Sequence, residues 1–377
     1  MTSAHAVVLV GPVPPWRSGI ADQTVRLARA MAKLGVEPRV LTFRRMYPGA
    51  LYPGKSDRGA GGFPTDLRVD AVLDGTRPFS FRRAAKEAVG ARLIVLPWWT
   101  AFWAPHDLLL LRELRSLSPS TLRLLLCHNL VDHEGGTVKR ALARAVFRQA
   151  DLLAVQNRRE REALVESFPR KRVELIPHPS EPREVLPDRE GARARLGIPP
   201  EAPLFLFTGI LRPYKGWDVL LAALPALHRE CPEALVVFAG EAWGEARDLP
   251  ERIPAGDRVR LELRYLDERE RALWLDACDA VVCPYRHATG SGIAADALAH
   301  GRPVIGTEVD GLVDVIEDGV TGLLVPPESP AALAAAMGRF VREGLGPRLS
   351  ANVVTHRARF HPENHARQVL RLGGIDV

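Results

Sequence analysis

Pro203-Leu204-Phe205-Leu206-Phe207-Thr208-Gly209-Ile210-Leu211-Arg212-Pro213-Tyr214-Lys215-Gly216-Trp217 runs from a short apolar strand through a glycine turn with two cations into a helix. The helix is read from Val219, Leu220, Leu224 and Leu227, which share one face at helical spacing. At such a junction free N–H groups and the positive helix end lie beside the cationic side chains, which suits an anion. The choice of cation sharpens this. Forty-five of the 51 basic residues are arginines, and Lys215 is the only lysine in the last 206 residues. A compact ammonium follows a phosphate oxygen as a point charge, whereas a guanidinium forks onto planar partners. Lys215 therefore reads as a diphosphate ligand, against the plainer alternative of a solvated surface loop.

The same strand–turn–helix unit repeats on both sides of this stretch, the pattern of parallel α/β domains. In the first half strands are expected at Ala6–Val10, Pro38–Phe43, Arg92–Leu96, Leu122–Cys127, Leu152–Val155 and Val173–Ile176. In the second they are expected at Leu204–Thr208, Leu235–Ala239, Val259–Leu263, Ala280–Cys283, Pro303–Gly306 and Gly322–Val325. Two Rossmann-like domains in tandem follow, at residues 1–179 and 180–357, with a C-terminal helix in 358–377 packing back on the first. The boundary is set by Pro177-His178-Pro179-Ser180-Glu181-Pro182, whose prolines continue neither a helix nor a central strand. Residues 44–66, rich in glycine and proline without periodicity, read as a mobile loop that folds over substrate.

With 377 residues, 46% hydrophobic and 25% charged, the chain has the make-up of soluble globular protein and the length for two domains. No apolar stretch approaches a membrane span of roughly 20 residues, and residues 1–10 read as a first strand rather than a signal segment. A cytoplasmic protein is expected. Cys127, Cys231, Cys278 and Cys283 lack metal or disulfide spacing and read as reduced core residues. The net charge of +6 conceals a basic first half, +12 over residues 1–179, and an acidic second half, −6 over 180–377. A basic half favours an anionic acceptor or peripheral contact with an anionic membrane face. Nucleic acid is set aside, because no basic-aromatic segment or helix-turn-helix pattern accompanies the charge.

A second anion site stands at Pro284-Tyr285-Arg286-His287-Ala288-Thr289-Gly290-Ser291-Gly292-Ile293. Its small residues permit close backbone approach, and the helix that follows begins with unpaired N–H groups. A plain helix cap by Thr289 or Ser291 is the alternative. Both turns follow strands, so both are expected at the carboxyl edge of one sheet, where such folds bind ligands.

Together with these turns, His300-Gly301-Arg302-Pro303-Val304-Ile305, Glu317-Asp318-Gly319-Val320-Thr321-Gly322-Leu323-Leu324-Val325-Pro326-Pro327, and Gly11-Pro12-Val13-Pro14-Pro15 through Ser18-Gly19-Ile20-Ala21 make the chain resemble the family 4 (group 1) retaining glycosyltransferases. The G-x-L-x-x-x-K-G segment from Gly209 to Gly216 belongs to the same set. The resemblance runs over nearly the whole chain. It implies the GT-B fold, two Rossmann-like domains with the active site in the inter-domain cleft, and transfer of a sugar from a UDP- or GDP-linked donor to an acceptor hydroxyl without cofactor or metal. It implies that Arg212 and Lys215 face the donor diphosphate, that the amides of Ser291, Gly292 and Ile293 hold its distal phosphate, and that Gly19 lies against the donor. His128, after an expected strand, matches the family histidine beside the transferring sugar, with a core or capping histidine as the alternative; His133 lies five residues on.

Two positions depart from the family pattern. Where a glutamate commonly meets the donor sugar this chain has Ala288, so sugar recognition passes to backbone amides, His287 or Thr289; Asp296 stands at the second, ribose-binding position or is a solvated helix residue. The arginine stands at 212 where the common pattern puts it at 210. In the family's chemistry the cations and the helix end stabilise the leaving diphosphate, and no D-x-D pair suggests a metal. The acceptor site is expected in the first domain at Trp98, Trp99 and Trp103, with His133, and these aromatics equally suit a core. Lipid-linked, glycan and small-molecule acceptors all remain open, in bacterial glycan or glycoconjugate synthesis. A sugar-nucleotide epimerase of the same fold and a non-catalytic sugar-nucleotide-binding protein are the alternative functions.

Overall fold

The computed structural model describes residues 6–47, 57–59, 61–128, 130, 136–180, 188–253, 258–288 and 290–377, the side chain of 359 apart. The first sheet contains β1 (Val7–Val10), β2 (Arg39–Arg45), β3 (Arg68–Asp74), β4 (Leu93–Trp98), β5 (Leu122–Cys127), β6 (Leu152–Val155) and β7 (Arg172–Leu175), in the order β3-β2-β1-β4-β5-β6-β7. The second contains β8 (Leu204–Thr208), β9 (Leu235–Ala239), β10 (Val259–Glu262), β11 (Ala280–Cys283), β12 (Val304–Thr307) and β13 (Gly322–Val325), in the order β10-β9-β8-β11-β12-β13. Neighbouring strands within each sheet run parallel. Central strands such as β1, β8 and β11 are buried along their whole length, which is why they read as unbroken apolar runs rather than alternating ones. In each sheet the order reverses beside the first strand, between β1 and β4 and between β8 and β11. There helices leave in opposite directions and open a crevice at the carboxyl ends.

The twelve expected strands are present, each within two residues at either end. The thirteenth, β3, was missed. It is an edge strand whose charged Arg68, Asp70 and Asp74 leave only an alternating apolar pattern, Val69, Ala71 and Leu73, instead of the continuous run of its neighbours, and Arg39 on β2 pairs with its Asp70 at 2.6 Å. Residues 48–56 and 60 of the expected lid lie outside the described residues; Arg58 pairs in a short antiparallel bridge with Trp16.

The chain divides into two compact units, one of Met1–Pro179 with Pro362–Val377 and one of Ser180–His361. Each sheet carries an apolar layer on both faces. The four cysteines are free and buried. Among the described residues no helix is long and apolar enough to cross a membrane.

The helix Pro362–Leu372 completes the first unit. Ala366, Val369 and Leu370 join Leu27, Ala28 and Met31 of the helix Gly19–Lys33 in one apolar cluster. The Lys33 ammonium meets Glu363 at 3.2 Å, and His365 Nδ1–H donates to the Pro177 carbonyl at 3.0 Å. Leu370 is fully buried, so Leu370→Ala removes both transfer energy and packing. We expect it to lower stability by about 2–5 kcal/mol in urea denaturation; a loss below about 1 kcal/mol would show that the helix is dispensable.

Candidate active site

The carboxyl edge of the second sheet is built by backbones that approach too closely for side chains. A Cβ on Gly216 would lie 2.0 Å from the Pro284 carbonyl oxygen, and one on Gly240 2.0 Å from that of Gly209. Gly209, Gly216 and Gly240 all have positive φ, so glycine is required on both counts. The turns after β8 and β11 are thereby pressed together. Arg286 fastens them: its guanidinium donates to both Asp218 oxygens, at 2.8 and 2.6 Å, and to the Pro213 carbonyl at 2.7 Å, while its Nε meets Glu328 at 3.2 Å.

Lys215 ends the 3-10 turn Pro213–Lys215 and is 8% exposed. Its ammonium would stand 2.7 Å from a Cβ on Gly209, where the Ile293 side chain also converges at 3.4 Å. The ammonium lies 5.9 Å from the Tyr285 ring centroid and pairs with no carboxylate among the described residues. Burial lowers its pKa to about 8; the buried Cys283 opposes this, and Arg212 and Arg271 add to it. Arg212 is exposed, its guanidinium 5.5 Å from the Trp243 ring and 5.8 Å from that of Tyr214. The two expected anion turns thus meet at one point. Ser291 caps the helix Gly292–Ala299 by accepting from the Ala294 amide at 3.1 Å, and helix geometry leaves the Gly292 and Ile293 amides without intrahelical acceptors.

The donor-recognition residues fall differently. Ala288 packs into the apolar layer, so its methyl faces core. His287 is exposed and stacks on Tyr214 with centroids 5.4 Å apart; burial, then Arg286, lowers its pKa. Asp296 is buried, accepts from the Ser180 hydroxyl at 2.8 Å and pairs with Arg271 at 3.6 Å, so it is not a solvated helix residue. Thr289 and His133 lie outside the described residues. The H-G-R-P segment is structural: His300 meets Asp276 at 2.8 Å and Arg302 donates to the Leu275 carbonyl at 3.0 Å.

In the first unit Ser18 caps the helix Gly19–Lys33 by accepting from the Ala21 amide at 3.0 Å. A Cβ on Gly19 would meet nothing within 4 Å, so packing alone does not demand glycine there. His128 follows β5 directly, donating its amide to the Trp98 carbonyl at 2.8 Å. The Gln156 amide donates to its Nδ1 at 3.2 Å, which leaves the proton on Nε2. Two further histidines, missed in the sequence, stand behind it. His178 donates through Nδ1 to the Pro179 carbonyl at 2.9 Å and accepts from the Gln23 amide, and His365 Nε2 is buried without a partner among the described residues. Burial, then the neighbouring His178 and His365, lowers the His128 pKa to about 3; burial lowers His365 to about 4 against the Pro177 hydrogen bond, which raises it.

Trp98 and Trp103 are each 1% exposed and belong to the core, Trp98 edge-on to Phe147 at 5.3 Å and Trp103 beside Phe43 at 4.9 Å. This corrects the expected stacking of an acceptor on their ring faces and bears out the core alternative for both rings, since a fully packed indole offers no face. Trp99 remains partly exposed.

Residues 18–179 match the model for the glycosyl transferase 4-like domain, and residues 202–343 that for glycosyl transferases group 1. A D-inositol 3-phosphate glycosyltransferase of Nocardioides sp. is 33% identical over 247 residues, 60% of this chain and 54% of the relative. Another of that name from Streptomyces bingchenggensis is 36% identical over 184 residues, 46% and 40% of the two chains. The chain thus spans about half the length of the curated relatives it matches. Sucrose-phosphate synthase of Thermosynechococcus elongatus shares the fold at TM-score 0.78 and 22% identity, covering 97% of this chain and 98% of its own. HepE of Anabaena in complex with UDP-glucose does so at TM-score 0.74 and 16% identity, covering 98% and 99%. The chain belongs to the group 1, or family 4, glycosyltransferases, and its two units are the Rossmann-like domains of the GT-B fold.

The buried histidines carry a pH dependence. Unfolded imidazoles take a proton near 6.5, whereas folded His128 and His365 take one only near 3 and 4. The unfolded chain therefore binds more protons in that interval, and stability should fall as pH drops from about 6.5 towards 4, with about two protons taken up on unfolding from these groups. Urea midpoints that stay constant from pH 7 to 5 would contradict it.

Proposed function

We propose that this group 1 glycosyltransferase moves a sugar from a nucleoside-diphosphate sugar to an acceptor hydroxyl, with retention at the anomeric carbon and without a metal ion. The observation that carries this reading is the buried Lys215 ammonium, paired with no carboxylate among the described residues, converging with the start of a capped helix. A desolvated cation beside free amides suits a diphosphate whose charge grows as it leaves. Arg212, held over Tyr214 and Trp243, adds a second charge. Gly19 has open space where a side chain would stand, as close approach of a ligand requires.

As the bond from the anomeric carbon to the diphosphate oxygen breaks, the acceptor hydroxyl forms its bond from the same face. Its proton passes to the departing phosphate oxygen, so no residue of the chain need become a covalent nucleophile. His128, neutral and with its proton on Nε2, is assigned to orient the sugar. With Ala288 packed inward, His287 and the adjoining backbone take the place of the sugar-binding carboxylate. Asp296, buried beside Ser180 and Arg271, is assigned to the ribose. The donor is UDP- or GDP-linked. HepE is described in complexes with UDP and UDP-glucose, which makes UDP the first to test. A cytoplasmic enzyme in bacterial glycan or glycoconjugate synthesis, touching the membrane peripherally through its basic first half, completes the reading.

Lys215→Ala should cut turnover by about 10²–10³-fold, the usual effect of losing one donor to a developing oxyanion, at a melting temperature close to native; Lys215→Arg should restore little. Wild-type turnover in the alanine variant would refute the assignment.

Binding of UDP should raise the Lys215 pKa from about 8, because an anion favours the ammonium. Calorimetry at pH 8 in buffers of different ionisation enthalpy should show proton uptake that disappears in Lys215→Met. Identical proton exchange in both proteins would show that Lys215 does not meet the diphosphate.

Turnover should also survive excess chelator. Loss with chelator and recovery with magnesium or manganese would replace the cationic mechanism with a metal-assisted one.

A further inference from the structure

The first sheet has its own crevice where the strand order reverses, between β1 and β4. A narrow cavity opens there, walled by Gly11 after β1, by Pro97 and Trp99 at the end of β4, by Trp103 and by apolar core side chains that include Phe43 and Phe81, with Asp107 as its one charged residue. Asp107 lies in the first turn of the helix Ala104–Leu117 and is 6% exposed. Its carboxyl has no hydrogen-bond or ion-pair partner among the described residues, although buried polar groups are nearly always paired. The Trp103 indole N–H is likewise buried and unpaired. His106 spends its Nε2–H on the Gly75 carbonyl at 3.1 Å, and its Nδ1 is buried without a partner.

The size and walls of the cavity limit what enters. It admits one water-sized group, which suits a hydroxyl and is too small for a phosphate or a quaternary ammonium. Burial pushes the Asp107 carboxyl well above the usual carboxylate range, and a protonated carboxyl both donates to and accepts from a hydroxyl.

We propose that this cavity is a socket for one neutral hydroxyl of the acceptor, with Asp107 as its hydrogen-bond partner and a determinant of acceptor specificity. The proposal rests on the transferase reading above and narrows the acceptor to a polyol or sugar presenting a free hydroxyl there. A phosphorylated polyol must place its phosphate elsewhere.

The test uses the full-length chain with myo-inositol, glucose and glycerol as probes, followed by saturation-transfer NMR, beside calorimetric titration with UDP. The native chain should bind at least one of the three. Asp107→Leu should weaken that binding at least tenfold, leave UDP affinity unchanged and raise the melting temperature, since it removes a desolvated carboxyl without a partner. The isosteric Asp107→Asn should fold as the native chain does and bind the same probe three- to tenfold more weakly. Absence of binding by all three probes, which would leave the cavity to a buried water only, overturns the proposal. So does equal affinity in native and Asp107→Asn protein, or stronger binding of tetramethylammonium than of any polyol. Failure of UDP to bind, with polyol binding still lost in the variants, sinks the transferase reading and leaves the socket standing.

Discussion

Backbone crowding at the carboxyl ends of β8, β9 and β11 is the constraint on which the second unit's chemistry depends. Carbonyl oxygens stand where side chains at Gly216 and Gly240 would begin, and the Lys215 ammonium stands where one at Gly209 would. The loops close up because those positions lack a Cβ, and that closure delivers a lysine to the start of a helix. Asp218 and Glu328 are engaged by Arg286, and no carboxylate among the described residues pairs with the Lys215 ammonium. The ammonium is left with an aromatic ring and neighbouring cations, an arrangement that burial makes unfavourable until an anion arrives.

The two sheets share a strand order up to one extra strand, and in both the chemistry gathers where that order reverses. Neither site takes the sign of its half of the sequence. The basic half of the sequence places a buried carboxyl in its crevice, and the acidic half places the buried Lys215 ammonium in its own, neither paired among the described residues. Net charge belongs to the solvated surface and acts at long range, whereas a site is decided by a few groups that the fold strips of water.

What could be read from the sequence follows the range of the interactions involved. Parallel strands buried on both faces announce themselves as apolar runs, and glycine turns lie within a few residues of the strands they follow, so β8, β11 and the residues between them were legible. β3 was not, because this edge strand is charged at alternate positions and lacks the continuous apolar run that marks the strands buried on both faces. The tryptophan cluster misled for a different reason: a run of aromatics states chemical capacity, and only packing decides that Trp98 and Trp103 face inward while Trp99 keeps an open side. The surroundings of His128 were hidden by separation along the chain, since Gln23, His178 and His365 reach the cluster from distant segments. Arg286 sat beside the glycine turn in plain view, but its role depends on Asp218, which lies 68 residues away.

The placing of the helix Pro362–Leu372 in the first unit makes the second unit an insertion within the first. During synthesis the second unit, continuous from Ser180 to His361, has left the ribosome before the first possesses all of its parts. Leu27 and Met31 must wait for Val369 and Leu370 to cover them. A segment translated before the second unit is thus completed after it, and until then a nascent chain carries an apolar stripe on the helix Gly19–Lys33 that a chaperone or a neighbouring polysome product can reach.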